Sequence, residues 1–78
     1  MLVVYSKNGC GQCMMAKKLL AKNGVDFVEY NVQKPEHADK LAYLKEKGFT
    51  SMPVIEKDGE FVVGFRDEEI MKLANRGE

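Results

Sequence analysis

Cys10-Gly11-Gln12-Cys13 is the place in the chain where two nucleophilic side chains of one kind stand close together. On a helical turn, this spacing brings both sulfurs to the same end of the helix, near enough to join. The thiolate attacks a disulfide and the thiol does not, so the chemistry depends on which sulfur carries charge at neutral pH. An ordinary thiol of pKa about 8.5 is about 3% ionised at pH 7, and bringing it to about 7 takes roughly 2 kcal/mol, the upper end of what a helix N-terminus supplies. Cys10 falls where a helical pattern begins and backbone amides are unpaired. Lys7, three residues earlier, adds a smaller and salt-screened share. Gly11 leaves bare backbone beside the sulfur, so a partner disulfide can approach in line. Cys13, one turn further on the apolar face, is expected to be shielded, with a higher pKa, and to resolve the mixed disulfide that Cys10 forms.

Blander uses of the pair compete with this one. A structural disulfide closing so short a loop contributes about 1.9 kcal/mol on the loop-entropy relation, a weak staple. Zinc takes four ligands, and beside the two cysteines the chain offers only His37, in a polar helical turn where a solvated side chain is expected. No metal is expected within one chain, and a metal or iron–sulfur cluster would need a second chain or an outside thiol. Two unreactive core thiols are the remaining alternative. A CxxC opening a helix after the first strand favours thiol–disulfide exchange over all of these.

The rest of the chain limits what can surround that pair. Its 78 residues make one small domain, spanning 1–78, with no room for a buried dinucleotide pocket. At 45% hydrophobic and 31% charged, the composition is that of a soluble globular chain. Twelve Lys plus Arg balance twelve Asp plus Glu, so nothing drives phosphate binding and nucleic acid is not an expected partner. The longest apolar run near the start is Met1 to Val4, short of a signal core or a membrane span. No membrane association is expected, the cytoplasm is the default location, and its thiols are mostly reduced.

Periodicity supplies the elements that must position the dithiol. Leu2 to Ser6 reads as a buried strand. Gly11 to Asn23 reads as a helix with Cys13, Ala16 and Leu20 inward, Lys17, Lys18 and Lys22 outward, and Gly24 as its stop. Asp26 to Asn31 alternates as a second strand. Pro35 suits the first turn of a helix running to Lys47, with Leu41 and Leu44 inward and Gly48 closing it. Val54 and Ile55 begin a third strand, Asp58-Gly59 signals a hairpin, and Phe61 to Val63 returns antiparallel. A last helix runs from Asp67, a candidate N-cap, to Asn75, with Ile70, Leu73 and Ala74 inward. The order β-α-β-α-β-β-α predicts an α/β fold, a four-stranded mixed sheet flanked by three helices, consistent with a thioredoxin fold. Pro53, opening a buried strand after Met52, is a candidate cis proline. It would turn the Met52 backbone outward to pair with an extended substrate segment.

Three stretches carry a resemblance: Tyr5-Ser6-Lys7-Asn8-Gly9-Cys10-Gly11-Gln12-Cys13, then Gly48-Phe49-Thr50-Ser51-Met52-Pro53-Val54-Ile55, then Gly64-Phe65-Arg66. In order and spacing the chain resembles the NrdH-redoxins, glutaredoxin-like donors of electrons to class Ib ribonucleotide reductase. The resemblance implies a thioredoxin fold, nucleophilic Cys10, resolving Cys13 and a cis bond at Pro53. It implies partner contacts through Lys7, Gly11, Gln12, Met52, Pro53, Gly64, Phe65, Arg66 and Asp67. Two macromolecular partners are implied for a carrier expected to be a monomer: the cysteine-bearing C-terminal tail of the ribonucleotide reductase large subunit, and thioredoxin reductase. The carrier would have no cofactor of its own, NADPH and FAD acting through the partner reductase. Val62, Val63 and Asp67 stand where the family usually has Trp, Ser and Pro, and Gly11 where a bulkier residue is common. The alternative is a glutathione-dependent glutaredoxin or general disulfide reductase. Such proteins hold the glutathione carboxylate on a Gly-Gly-x-x-Asp turn, whose second glycine is here Phe65, a side chain expected to crowd that approach.

Overall fold

The computed structural model describes residues 1–76. Strand β1 (Leu2–Ser6) lies inside the sheet, whose order is β2-β1-β3-β4. It pairs in parallel with β2 (Val28–Asn31), Tyr5 opposite Tyr30, and antiparallel with β3 (Val54–Lys57), Tyr5 opposite Val54. Strand β4 (Glu60–Val63) completes the sheet as the far arm of a hairpin. Asp58 and Gly59 turn that hairpin with φ of 52° and 81°, the pair of positive values a tight I′-type turn requires.

Alternation along β1 divides the core in two. Leu2 and Val4 point to one face, where Ala16 and Leu20 of α1 (Gly11–Lys22) and Ile70 and Leu73 of α3 (Asp67–Asn75) meet Ile55. Tyr5 points to the other face, with Val32, Val54 and Leu44 of α2 (Ala38–Glu46). Two helices therefore cover one face and a single helix the other. The Cα radius of gyration is 11.6 Å, the value expected of a compact chain this long. Among the described residues no helix is long and apolar enough to cross a membrane.

Several element ends differ from the sequence expectation. Helix α1 ends at Lys22, with Asn23 as its C-cap. Strand β2 begins at Val28 rather than Asp26, because pairing with β1 starts at Val3 opposite Val28. The second helix opens as a 3-10 turn over Pro35–His37 and becomes α-helical at Ala38, with Lys47 its C-cap rather than its last residue. Asp67 is not the N-cap of α3: Arg66 holds that position in extended geometry, and Asp67 Oδ1 accepts the Glu68 N–H from within the first turn. The other end of α3 is fastened by a lysine that is 7% exposed. Lys57 Nζ donates to the carbonyls of Ala74 at 2.9 Å and Arg76 at 2.7 Å.

Candidate active site

The dithiol occupies the junction between β1 and α1. The chain leaves β1 at Ser6 and turns through Lys7 to Gly9, whose φ of +64° is one that glycine adopts without strain. Cys10 is the N-cap of α1 in extended geometry (φ −102°, ψ 103°), and its sulfur accepts the Cys13 N–H at 3.1 Å. Its carbonyl accepts the Met14 N–H at 3.2 Å. The two cysteines are joined as a disulfide, with Cα atoms 5.3 Å apart. Cys10 is half-buried, whereas Cys13 is 2% exposed. Only the first sulfur is open to an incoming partner. A helix-terminal sulfur that already receives an amide donor is set up to hold negative charge once the bond opens.

Gly11 has open space where a Cβ would stand, so nothing on that side obstructs an in-line approach. The opposite wall is the start of β3. The Met52–Pro53 bond is cis, as expected, and Pro53 is buried. The Met52 carbonyl oxygen lies 3.8 Å from Cys10 Sγ. The third wall is the turn before α3. The Gly64 N–H donates to the Pro53 carbonyl at 2.7 Å, and the Phe65 N–H donates to Gln12 Oε1 at 3.4 Å. The Phe65 ring leans against the core of Leu2, Val4 and Ile70 and stays half-exposed. It is therefore the backbone of this turn that faces Gln12. Cys10, Gly11, Gln12, Met52, Pro53, Gly64 and Phe65 are thus brought together. Arg66 and Asp67 are exposed at the start of α3, and Lys7 is exposed on the far side of the dithiol.

Beside the dithiol lies a depression of about 390 Å³ bordered by Lys7, Cys10, Cys13, Lys17 and Glu29. Glu29 Oε2 accepts from Lys17 Nζ at 2.8 Å and from the buried Ser6 hydroxyl at 2.7 Å. Burial works to raise the Glu29 pKa, but these two donors outweigh it and hold the carboxyl below its usual range.

A second polar network holds the loop ahead of Cys10. Asn31 Nδ2 donates to Asn8 Oδ1 at 2.8 Å, Asn31 Oδ1 accepts the Gln33 N–H at 2.9 Å, and Gln33 Oε1 accepts the Asn8 N–H at 2.9 Å. Residues 8, 31 and 33 close a ring of three bonds. His37 extends it: Nδ1 lies 3.1 Å from the Asn31 carbonyl, and the imidazole stands edge-on to Tyr30 with centroids 5.1 Å apart. The imidazole is half-buried rather than freely solvated. Sequence reasoning missed this ring and the Glu29 pair. All of their links but Asn31–Gln33 join residues more than ten apart in the chain, and asparagine in a loop reads as ordinary turn chemistry.

The glutaredoxin family model matches residues 2–62. This chain belongs to the glutaredoxin family. Within that family it is similar to the glutaredoxin-like protein NrdH of Lactococcus lactis subsp. cremoris, with 45% identity over 75 residues, covering 95% of this chain and all of the relative. NrdH of Escherichia coli K12 is 33% identical over 73 residues, covering 92% of this chain and 86% of the relative. The solved structure of the NrdH-redoxin from Escherichia coli superposes with a TM-score of 0.82 at 29% identity, covering 97% of each chain. The fold is the thioredoxin fold, and this glutaredoxin-family chain is an NrdH-like redox protein with a CxxC-type disulfide centre.

Proposed function

We propose that the chain is a dithiol electron carrier whose physiological acceptor is ribonucleotide reductase of class Ib. The observation that carries this reading is the asymmetry of the pair, a half-exposed Cys10 sulfur at a helix N-terminus and a buried Cys13 directly behind it. In the reduced carrier the Cys10 thiolate attacks one sulfur of a partner disulfide. A Cys10–partner bond forms, and the partner's other sulfur leaves as a thiolate and takes up a proton. Cys13 then loses its proton and attacks Cys10 Sγ, which forms the Cys10–Cys13 disulfide and expels the partner's second sulfur. Two electrons pass to the partner, and a reductase dithiol returns the carrier to its starting state.

The acceptor is the flexible cysteine-bearing C-terminal tail of the reductase large subunit, and an extended tail finds the Met52 backbone beside Cys10. Lys7, Gly11, Gln12, Pro53, Gly64, Phe65, Arg66 and Asp67 frame the contact. The carrier works as a monomer in the cytoplasm, and NADPH and FAD act through thioredoxin reductase. Phe65 in place of the second glycine of a glutathione-carboxylate turn favours thioredoxin reductase over glutathione.

An NADPH-coupled assay separates the two. Rapid oxidation of NADPH with thioredoxin reductase plus the class Ib enzyme, and none with glutathione plus glutathione reductase, is the expected pattern. The reverse pattern rejects the reading in favour of a glutathione-dependent glutaredoxin.

A further inference from the structure

The single helix on its face of the sheet leaves part of that face uncovered. Beside α2 there is a depression of about 460 Å³ lined by Val3, Tyr5, Tyr30, Tyr43, Glu56 and Asp58. It shares no residue with the depression at the dithiol. A carboxylate stands among three tyrosines there. Tyr5 donates its hydroxyl to Glu56 Oε1 at 2.8 Å and Tyr43 donates to Oε2 at 2.8 Å. The Tyr5 ring centroid is 6.0 Å from that of Tyr30 and 6.3 Å from that of Tyr43.

Among the described residues no cation pairs with Glu56. Lys40, also at the rim, has its ammonium 3.3 Å from Asp39 and over the Tyr30 ring at 4.7 Å from the centroid. Tyrosine faces here already hold cations of the chain itself: Lys47 Nζ lies 5.3 Å from the Tyr43 centroid. Each Glu56 oxygen is engaged by one phenol, so each keeps an acceptor direction free. Two such directions on one carboxylate match the parallel N–H pair of a guanidinium, which is planar and stacks on aromatic faces. An ammonium is a point donor and uses only part of that arrangement.

We infer that this notch is a docking site for an arginine side chain presented by a partner protein. Glu56 receives the guanidinium, and the tyrosine rings bracket it. The rim also carries the Asp39 and Asp58 carboxylates, the Lys40 ammonium and Met1. Because the notch is separate from the dithiol, an arginine bound there would hold a partner while leaving Cys10 open. The inference does not depend on what the dithiol reduces.

The test is a titration of the full-length oxidised protein with Nα-acetyl-arginine amide, followed by amide shifts in nitrogen-15 correlation spectra. Saturable shifts are expected at Val3, Tyr5, Tyr30, Glu56 and Asp58, with a Kd on the order of 10 mM for so small a probe. The neutral citrulline analogue should shift none of them. Glu56→Gln, which keeps the shape and one acceptor, should weaken binding about tenfold. If that variant does not fold, Tyr43→Phe serves instead: it frees Oε2 and should retain or strengthen binding. Absence of saturable shifts, shifts scattered over other surfaces, or equal binding by citrulline overturns the site. Undiminished binding to folded Glu56→Gln, or loss of binding in folded Tyr43→Phe, also overturns it. Equal affinity for Nα-acetyl-lysine amide overturns the assignment to guanidinium.

Discussion

The backbone N–H of Cys13 donates to Cys10 Sγ at 3.1 Å, so the buried cysteine serves the exposed one with its amide before its own sulfur acts. Replacing the Cys13 side chain leaves that amide in place. In Cys13→Ser, alkylation of Cys10 is expected to show a midpoint below the ordinary value of about 8.5. In Cys10→Ser, the remaining thiol is buried and loses the chance to attack first, so iodoacetamide should label it about tenfold more slowly at pH 7. Mixed disulfides with partner proteins should accumulate on Cys13→Ser alone. Equal trapping by both variants would reverse the assignment of roles.

Asn31 closes the three-bond ring that holds the loop ahead of Cys10. Asn31→Ala is expected to cost about 1 kcal/mol, or roughly 4–8 °C in Tm for a domain this small. It should also move the Cys10 alkylation midpoint upward, because the loop then sets the helix terminus less firmly. Calorimetry reads the first effect, and the alkylation profile of the Cys13→Ser background reads the second. A fall in Tm with an unmoved midpoint would confine Asn31 to a structural part.

Glu29, held below its ordinary value of 4.5 by Lys17 and Ser6 against the opposing effect of burial, makes stability depend on pH. A carboxyl whose folded value is depressed contributes above its unfolded value, and the contribution fades as pH falls through the folded one. Wild type should therefore exceed Lys17→Met in stability at pH 7, with the gap closing under acid. Urea midpoints of the two proteins at pH 7 and about pH 3 measure this. A gap that stays constant across the range would exclude an electrostatic origin.

At the alkaline end, burial, reinforced by the bond to Glu56, pushes the Tyr5 phenol above its ordinary 10.0, and Tyr43 moves the same way. A group raised on folding contributes stability below its unfolded value and loses that contribution as pH climbs through the folded one. Ultraviolet titration of phenolate should show these two tyrosines ionising late. Glu56→Gln should bring both back toward the ordinary value, and an unchanged curve would show that the carboxylate has no hold on them.

How much of this was legible depended on distance along the chain. The cysteine pair, the hairpin at Asp58-Gly59 and the proline before β3 are local signals, and each landed where its chemistry places it. The inward faces of α1 and α3 were legible because one side of each helix is consistently apolar. The ends were not, since a boundary such as Val28 is set by where the neighbouring strand begins. The side-chain links escaped for a different reason. Glu56 shares a face with Val54 by alternation, but nothing in the sequence says that Tyr5, 51 residues away, donates a hydrogen bond to it.

The turn before α3 is tied to the start of β3 by main-chain atoms alone, the Gly64 N–H to the Pro53 carbonyl. A scaffold fastened in that way tolerates exchange of the side chains it displays. The side chains of Val62, Val63 and Asp67 take no part in that tie. A carrier of the proposed kind would then be readdressed to a new client through its rim.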